Sequence, residues 1–233
     1  MDVTAKDAAR LLDLPEKQIH AWILNGTLPC YRIKDRYRLN RVELLNWAAA
    51  RNIKVAPEYF RENRESSGGL LLTNALAYGG VLNDVAGKNK VSVLREVCTK
   101  LKLPSQIDRQ ELHSILVARE ALCSTGIGNG IAIPHPRGPI MLGLTDPHVT
   151  LAFLCEAIDY SALDKKPVSV LFVIISTTVH THLTLLSHLM FALQDAEFRA
   201  LLGRRADEES ILAKSAEIER RVVQADKAKG ATR

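Results

Sequence analysis

The segment Ser124-Thr125-Gly126-Ile127-Gly128-Asn129-Gly130-Ile131-Ala132-Ile133-Pro134-His135-Pro136-Arg137 carries the densest structural signals in the chain. Three glycines alternate ahead of a strand-like Ile-Ala-Ile, and a histidine follows between two prolines. A dinucleotide-binding loop is excluded, because its third glycine is missing at the required offset and the loop precedes a strand where it should open a helix. The prolines fix the backbone around His135, and the glycines let backbone amides come close to a ligand. A rigid imidazole beside such amides suits a phosphoryl acceptor. Its neutral nitrogen can attack in line, and the remaining work is positioning and charge neutralisation. On composition alone, a structural histidine in a turn is the alternative.

On either side of this segment, helical and strand patterns alternate. Val93, Leu94, Val97 and Leu101 form a helical stripe, as do Leu183, Leu186, Met190 and Leu193 from His182 onward. Residues 149–154 and 168–175 are short apolar runs rich in β-branched residues, as buried strands are. The expected fold class of this larger part is therefore α/β.

The stretch up to Gly69 holds Pro57, a cluster of charges and Ser66-Ser67-Gly68-Gly69, which is linker composition. The expected division is a domain over 1–55, a linker over 56–69, a second domain over 70–217 and a tail over 218–233. In the first domain Thr4 reads as an N-cap for a helix whose inner face is Ala5, Ala8, Ala9 and Leu12. A second helix is expected from Pro15 to Asn25-Gly26, with Ile19, Trp22 and Ile23 toward the core. Period-two alternation follows: Tyr31, Ile33, Tyr37 and Leu39 share one parity, and Arg32, Lys34, Arg36 and Arg38 the other. A hairpin turning near Lys34-Asp35 would then put four cations on one side. Val42, Leu45 and Ala48, with Trp47, would form a closing helix. This order describes a small winged helix-turn-helix reader of duplex DNA, with one helix in the major groove and the cationic hairpin on the phosphates.

Composition narrows the remaining classes. At 47% hydrophobic and 24% charged, the 233 residues are globular in texture rather than disordered or fibrous. No apolar run approaches the roughly 18–20 residues a membrane span needs, so a cytoplasmic protein without membrane insertion is expected. Cys30, Cys98, Cys123 and Cys155 are widely spaced without a CxxC pair, and are expected to be small buried hydrophobes. No metal site or cofactor is expected. The formal charge of +5 is mild, but five Arg or Lys against one Asp between Tyr31 and Arg41 favour an anionic partner.

Residues 1–51 resemble the excisionase and MerR-like helix-turn-helix family. The likeness rests on Ala8-Ala9-Arg10-Leu11-Leu12, Trp22 to Pro29, Tyr37-Arg38 and Leu44-Leu45-Asn46-Trp47. It implies groove contacts from Lys17 and Gln18, which stand where relatives carry Ser or Thr plus an Arg, beside backbone contacts from Arg32, Lys34, Arg36 and Arg38.

From about Leu71 to Leu212 the chain resembles the fructose/mannitol-type enzyme IIA domain of the phosphotransferase system, most closely its nitrogen-regulatory branch. Arg119-Glu120, Ser124-Thr125 and the Gly-Asn-Gly-Ile-Ala-Ile-Pro-His block carry that likeness. It implies a mixed β-sheet flanked by helices. It also implies that His135 accepts a phosphoryl group from an HPr-like carrier, with Arg119 and His182 as its active-site companions. A guanidinium suits that role as a charged planar fork of donors. Ser124, Thr125, Gly128, Asn129 and Gly130 are expected to bind the phosphate. His180, two residues before His182, raises an HxH metal pair, but no third ligand stands at a suitable spacing.

The expected function is thus a regulatory phosphorelay protein with a DNA-binding module and regulated partner proteins. Two alternatives remain: a transcription regulator whose IIA-like domain only mediates interactions, and a carbohydrate-transport enzyme IIA serving a separate permease.

Overall fold

The computed structural model describes residues 2–33, 36–51, 53, 71–105, 107–136, 144, 146–162, 164–176 and 178–230. The expected linker 56–69, Lys34 and Arg137 lie outside these, as do the side chains of Arg32 and Arg36. The chain divides into two compact units, Met1–Arg64 and Glu65–Arg233.

The first unit runs β1 (Asp2–Val3), α1 (Ala5–Leu11), α2 (Glu16–Leu24), β2 (Tyr31–Ile33), β3 (Arg36–Asn40) and α3 (Arg41–Ala50). Thr4 caps α1 in a reciprocal capping box with Asp7, the arrangement that satisfies two orphan helix donors at once. Ala8, Leu11, Leu12, Ile19, Leu39, Leu44 and Leu45 are fully buried and make a core between the helices and the sheet. Trp22 is half-buried and meets Trp47 edge-on at 4.9 Å, while the Trp47 indole N–H donates to the Thr27 carbonyl at 2.7 Å.

The hairpin corrects one expectation. Tyr31 pairs with Arg38, Arg32 with Tyr37 and Ile33 with Arg36. Two residues separate Ile33 from Arg36, so even positions on β2 face odd positions on β3. Cross-strand partners share a face. Arg36 and Arg38 therefore occupy the row of Tyr31 and Ile33, and Arg32 takes the row of Tyr37 and Leu39. Among the described residues, Arg32, Arg36 and Arg38 do not form a single row.

The second unit contains α4 (Leu71–Gly79), β4 (Val81–Val85), α5 (Lys90–Lys100), α6 (Arg109–Leu122), β5 (Gly126–Gly128), β6 (Ile131–Ala132), β7 (His148–Ile158), β8 (Val168–Ile175), α7 (Val179–Ala192), α8 (Ala196–Gly203) and α9 (Glu208–Gly230). The sheet order is β4-β7-β8-β6-β5. It is mixed: β4 with β7 and β6 with β8 are parallel, and β7 with β8 and β5 with β6 antiparallel. Both faces are covered, which explains the unbroken apolar runs of β7 and β8. Leu171, Val173 and Ile175 join Val93, Leu94 and Leu116 of α5 and α6 in one core. On the other face Phe172 stacks on Phe198 of α8, and α4 packs on β7. That last contact is close: a Cβ on Gly79 would stand 2.3 Å from the Val149 carbonyl oxygen.

Two further expectations are corrected. Ile218 and Glu219, assigned to a tail, are buried members of α9. The Glu219 carboxylate accepts the Leu72 and Thr73 N–H groups at 2.8 and 3.0 Å, capping α4, and meets His188 Nδ1 at 2.6 Å. Of the cysteines only Cys98 is buried; Cys30 is half-buried, and Cys123, at the end of α6, and Cys155, within β7, are exposed. Among the described residues no helix is long and apolar enough to cross a membrane.

Candidate active site

Topology gathers three distant residues at one edge of the sheet. Strands β6 and β8 are parallel, so their C-terminal ends share that edge. His135 follows β6 through Ile133 and Pro134, whose carbonyl accepts the Ile174 N–H of β8 at 3.0 Å. His182 lies in the first turns of α7, which Thr178 caps just beyond β8. Arg119 occupies the last turn of α6, from which the chain enters β5 antiparallel to β6 and so again at this edge.

The two imidazoles stand with ring centroids 5.0 Å apart. His135 is 1% exposed and His182 6%. His135 Nδ1 is 2.7 Å from the Ile133 carbonyl oxygen. A carbonyl only accepts, so Nδ1 carries the hydrogen and Nε2 holds the lone pair. Nε2 of both rings is buried without a hydrogen-bond partner among the described residues. His180, two residues from His182 along α7, is exposed, so the two do not form a pair.

Burial, reinforced by His182 and by the Arg119 guanidinium, lowers the His135 pKa to about 3. Burial and Arg119 hold His182 at about 4. Both rings are therefore neutral across the physiological range. An unfolded histidine titrates near 6.5, so below that pH the unfolded chain binds protons that the folded chain refuses. Stability is full above pH 6.5 and falls as pH drops toward 3 to 4. Between pH 7 and 5 each ring should lose about 2 kcal/mol of folding free energy. Urea unfolding followed by far-ultraviolet circular dichroism should show this acid loss, and the His182→Gln protein should lose less. An equal loss in the variant would contradict neutral burial of that ring.

The structure redirects the expected phosphate ligands. Gly128, Asn129 and Gly130 form the β5–β6 turn, with φ of 93°, 54° and 76°. Gly128 pairs with Ile131, so Asn129-Gly130 is a two-residue hairpin loop, and positive φ at both positions is what that loop requires. The turn lies at the opposite end of the hairpin from His135, about 16 Å of extended chain away. Its Asn129 N–H is given to the Asp164 carboxylate at 2.8 Å. These three residues shape the hairpin and do not cradle a group on His135. Ser124 and Thr125 lie at the correct end, but their hydroxyls turn to protein. Ser124 Oγ donates to the Tyr160 carbonyl at 2.6 Å, and Thr125 Oγ1 to Glu120 at 2.6 Å.

Glu120 was legible only as part of a motif. It is 6% exposed, accepts both the N–H and the hydroxyl of Thr125, and lies 3.3 Å from Lys90 Nζ. The Lys90 ammonium also sits 5.2 Å over the Tyr160 ring. Lys90 and Tyr160 carried no sequence signal, because only the tertiary fold brings them to Glu120. In the first unit Lys17 and Gln18 are exposed at the start of α2, and Arg38 is half-buried in β3.

The mixed sheet between helices thus carries a buried histidine pair and an arginine at one end, on a chain that also has a separate N-terminal unit. The family model described as "Phosphoenolpyruvate-dependent sugar phosphotransferase system, EIIA 2" matches residues 76–215, and a helix-turn-helix domain model matches residues 3–52. The first match covers more than half of the chain, which belongs to that EIIA family. The "Nitrogen regulatory protein" of Pseudomonas aeruginosa is 39% identical over 132 residues, 55% of this chain and 83% of that protein. The Escherichia coli protein of that name is 33% identical over 126 residues, 52% of this chain and 74% of its own. The crystal structure of nitrogen regulatory protein IIA-Ntr from Neisseria meningitidis superposes with a TM-score of 0.51 at 27% identity, covering 64% of this chain and 99% of that one.

Proposed function

We propose that this protein is a regulatory phosphorelay component whose His135 accepts a phosphoryl group at Nε2 from an HPr-like carrier. The observation that carries this reading is the buried, unpartnered Nε2 lone pair, with Nδ1 tied to the Ile133 carbonyl. Attack by Nε2 forms the N–P bond as the bond to the carrier's histidine breaks. The proton stays on Nδ1. Arg119 supplies positive charge to the equatorial oxygens, and His182, neutral, can donate a hydrogen bond from whichever nitrogen carries its proton. Because His135 is 1% exposed, transfer includes an opening step, and closure afterwards shields the N–P bond from water. Incubation with phosphoenolpyruvate, enzyme I and an HPr-like carrier, followed by mass spectrometry at basic pH, tests the acceptance. A modification elsewhere than His135 rejects it.

The same proposal assigns the first unit to duplex DNA, with Lys17 and Gln18 facing the groove and Arg38 gripping phosphates. Each phosphate contact contributes about 0.9 to the slope of log affinity against log salt. Arg38→Ala in the full chain should lower the slope by about that amount, read by fluorescence anisotropy over a salt series. Absence of any complex at low salt with a random duplex pool would sink the assignment. Measured with and without phosphorylation, the same affinities reveal whether the two units communicate.

A further inference from the structure

A continuous line of hydrogen bonds runs to His135 from a lysine on another helix. Lys90 Nζ, at the start of α5, approaches Glu120 Oε1 at 3.3 Å. Glu120 Oε2 accepts the Thr125 N–H at 3.0 Å and its hydroxyl at 2.6 Å. The Thr125 carbonyl accepts the Ile133 N–H at 3.0 Å. The Ile133 carbonyl accepts His135 Nδ1–H at 2.7 Å. The carbonyl that sets the tautomer of the acceptor ring thus belongs to a residue whose own N–H is anchored through Thr125.

The geometry points to Lys90, Glu120 and Thr125 as positioning residues that hold the Ile133 carbonyl in place and so keep Nε2 of His135 as the lone pair. This rests on the acceptor role proposed above. Two physical arguments support it. First, β5 is the edge strand and pairs only with β6, and those strands have just three and two residues. So short an edge hairpin is weakly fixed by its ladder, and Glu120 supplies the missing constraint at the end nearest His135. Second, a buried carboxylate is costly unless paired and fully bonded. Glu120 receives three donors, one of them cationic. Lys90 also offsets a negative charge that, one residue from Arg119, would otherwise oppose an incoming phosphoryl group.

Thr125→Val removes one link of the line at nearly constant shape, and Thr125→Ser retains it. Lys90→Met removes the cation from a side chain that is 24% exposed, while the Thr125 N–H and hydroxyl still donate to Glu120, and circular dichroism serves as the folding control. In the full-length protein, ¹⁵N-histidine NMR reads the His135 tautomer without any carrier, and rapid-quench kinetics read phosphoryl acceptance. Thr125→Val and Lys90→Met should populate the Nε2–H tautomer and lower kcat by about 10- to 100-fold at unchanged KM for the carrier. Thr125→Ser should behave like the wild type. Wild-type tautomer in both disrupting variants overturns the inference whatever the rates. If Thr125→Val does not fold, Lys90→Met alone decides by the same criterion. Failure of the wild type to accept phosphate would instead overturn the acceptor role, leaving the tautomer comparison to stand or fall by itself.

Discussion

His135→Ala is expected to abolish phosphoryl uptake while the protein stays folded. The substitution removes the ring whose lone pair is directed to Nε2 by the Ile133 carbonyl, an Nε2 without a hydrogen-bond partner among the described residues. His182 cannot simply replace it. The two rings are held 5.0 Å apart by different elements, so a phosphoryl group aligned for one is misaligned for the other, and such misplacement costs about 100-fold or more. Loss of a ring of low pKa removes its share of the acid sensitivity below pH 6.5, and circular dichroism at pH 7 checks the fold of the variant. Radiolabelled transfer from the carrier measures the effect. Normal uptake by this variant would remove His135 from the chemistry.

The second large effect is expected at Arg119. Its guanidinium depresses the pKa of both histidines, which means that its field reaches both rings and would reach an anion bound to either. Removing one preorganised donor from a developing charge typically costs about 100- to 1000-fold in rate, or ~2.7 to 4 kcal/mol. Arg119→Ala should fall in that range. Arg119 also donates to the Cys123 carbonyl at 2.7 Å, closing the end of α6. Arg119→Lys separates the two roles: it keeps the charge and loses the planar fork, and should recover only part of the rate. Stopped-flow transfer with circular dichroism as the folding control gives the answer, and a normal rate in Arg119→Ala would show that the charge is supplied elsewhere.

Periodicity made much of the fold legible. The stripe of Val93, Leu94 and Val97, the Thr4 cap, the Asn25-Gly26 stop and the runs of β7 and β8 are local patterns, and local patterns survive in a fold. The sheet order is non-local and had no signal in the sequence, and the meeting of residues 119, 135 and 182 at one edge, also non-local, came only through a family likeness. Where two physical demands share one sequence signal, the sequence alone does not tell them apart. The Asn129-Gly130 pair satisfies a hairpin's need for positive φ as well as a ligand's need for close amides, and the first demand decided its place. Parity along the sequence puts the cations in one row, but a two-residue loop pairs odd positions of one strand with even positions of the next, so equal parity does not mean a shared face across the hairpin. Glu219 looked like one more charge in a polar tail. Its partners, the open N–H groups of α4 and His188, belong to segments far away in the chain.

The most direct measurement is ³¹P NMR at basic pH of the full-length protein after incubation with phosphoenolpyruvate, enzyme I and an HPr-like carrier. With Nδ1 of His135 bound to the Ile133 carbonyl, a single phosphohistidine resonance of the Nε2 isomer should form, and it should be absent from His135→Ala. An Nδ1 isomer, a phosphate on His182, or no phosphohistidine at all would contradict the account.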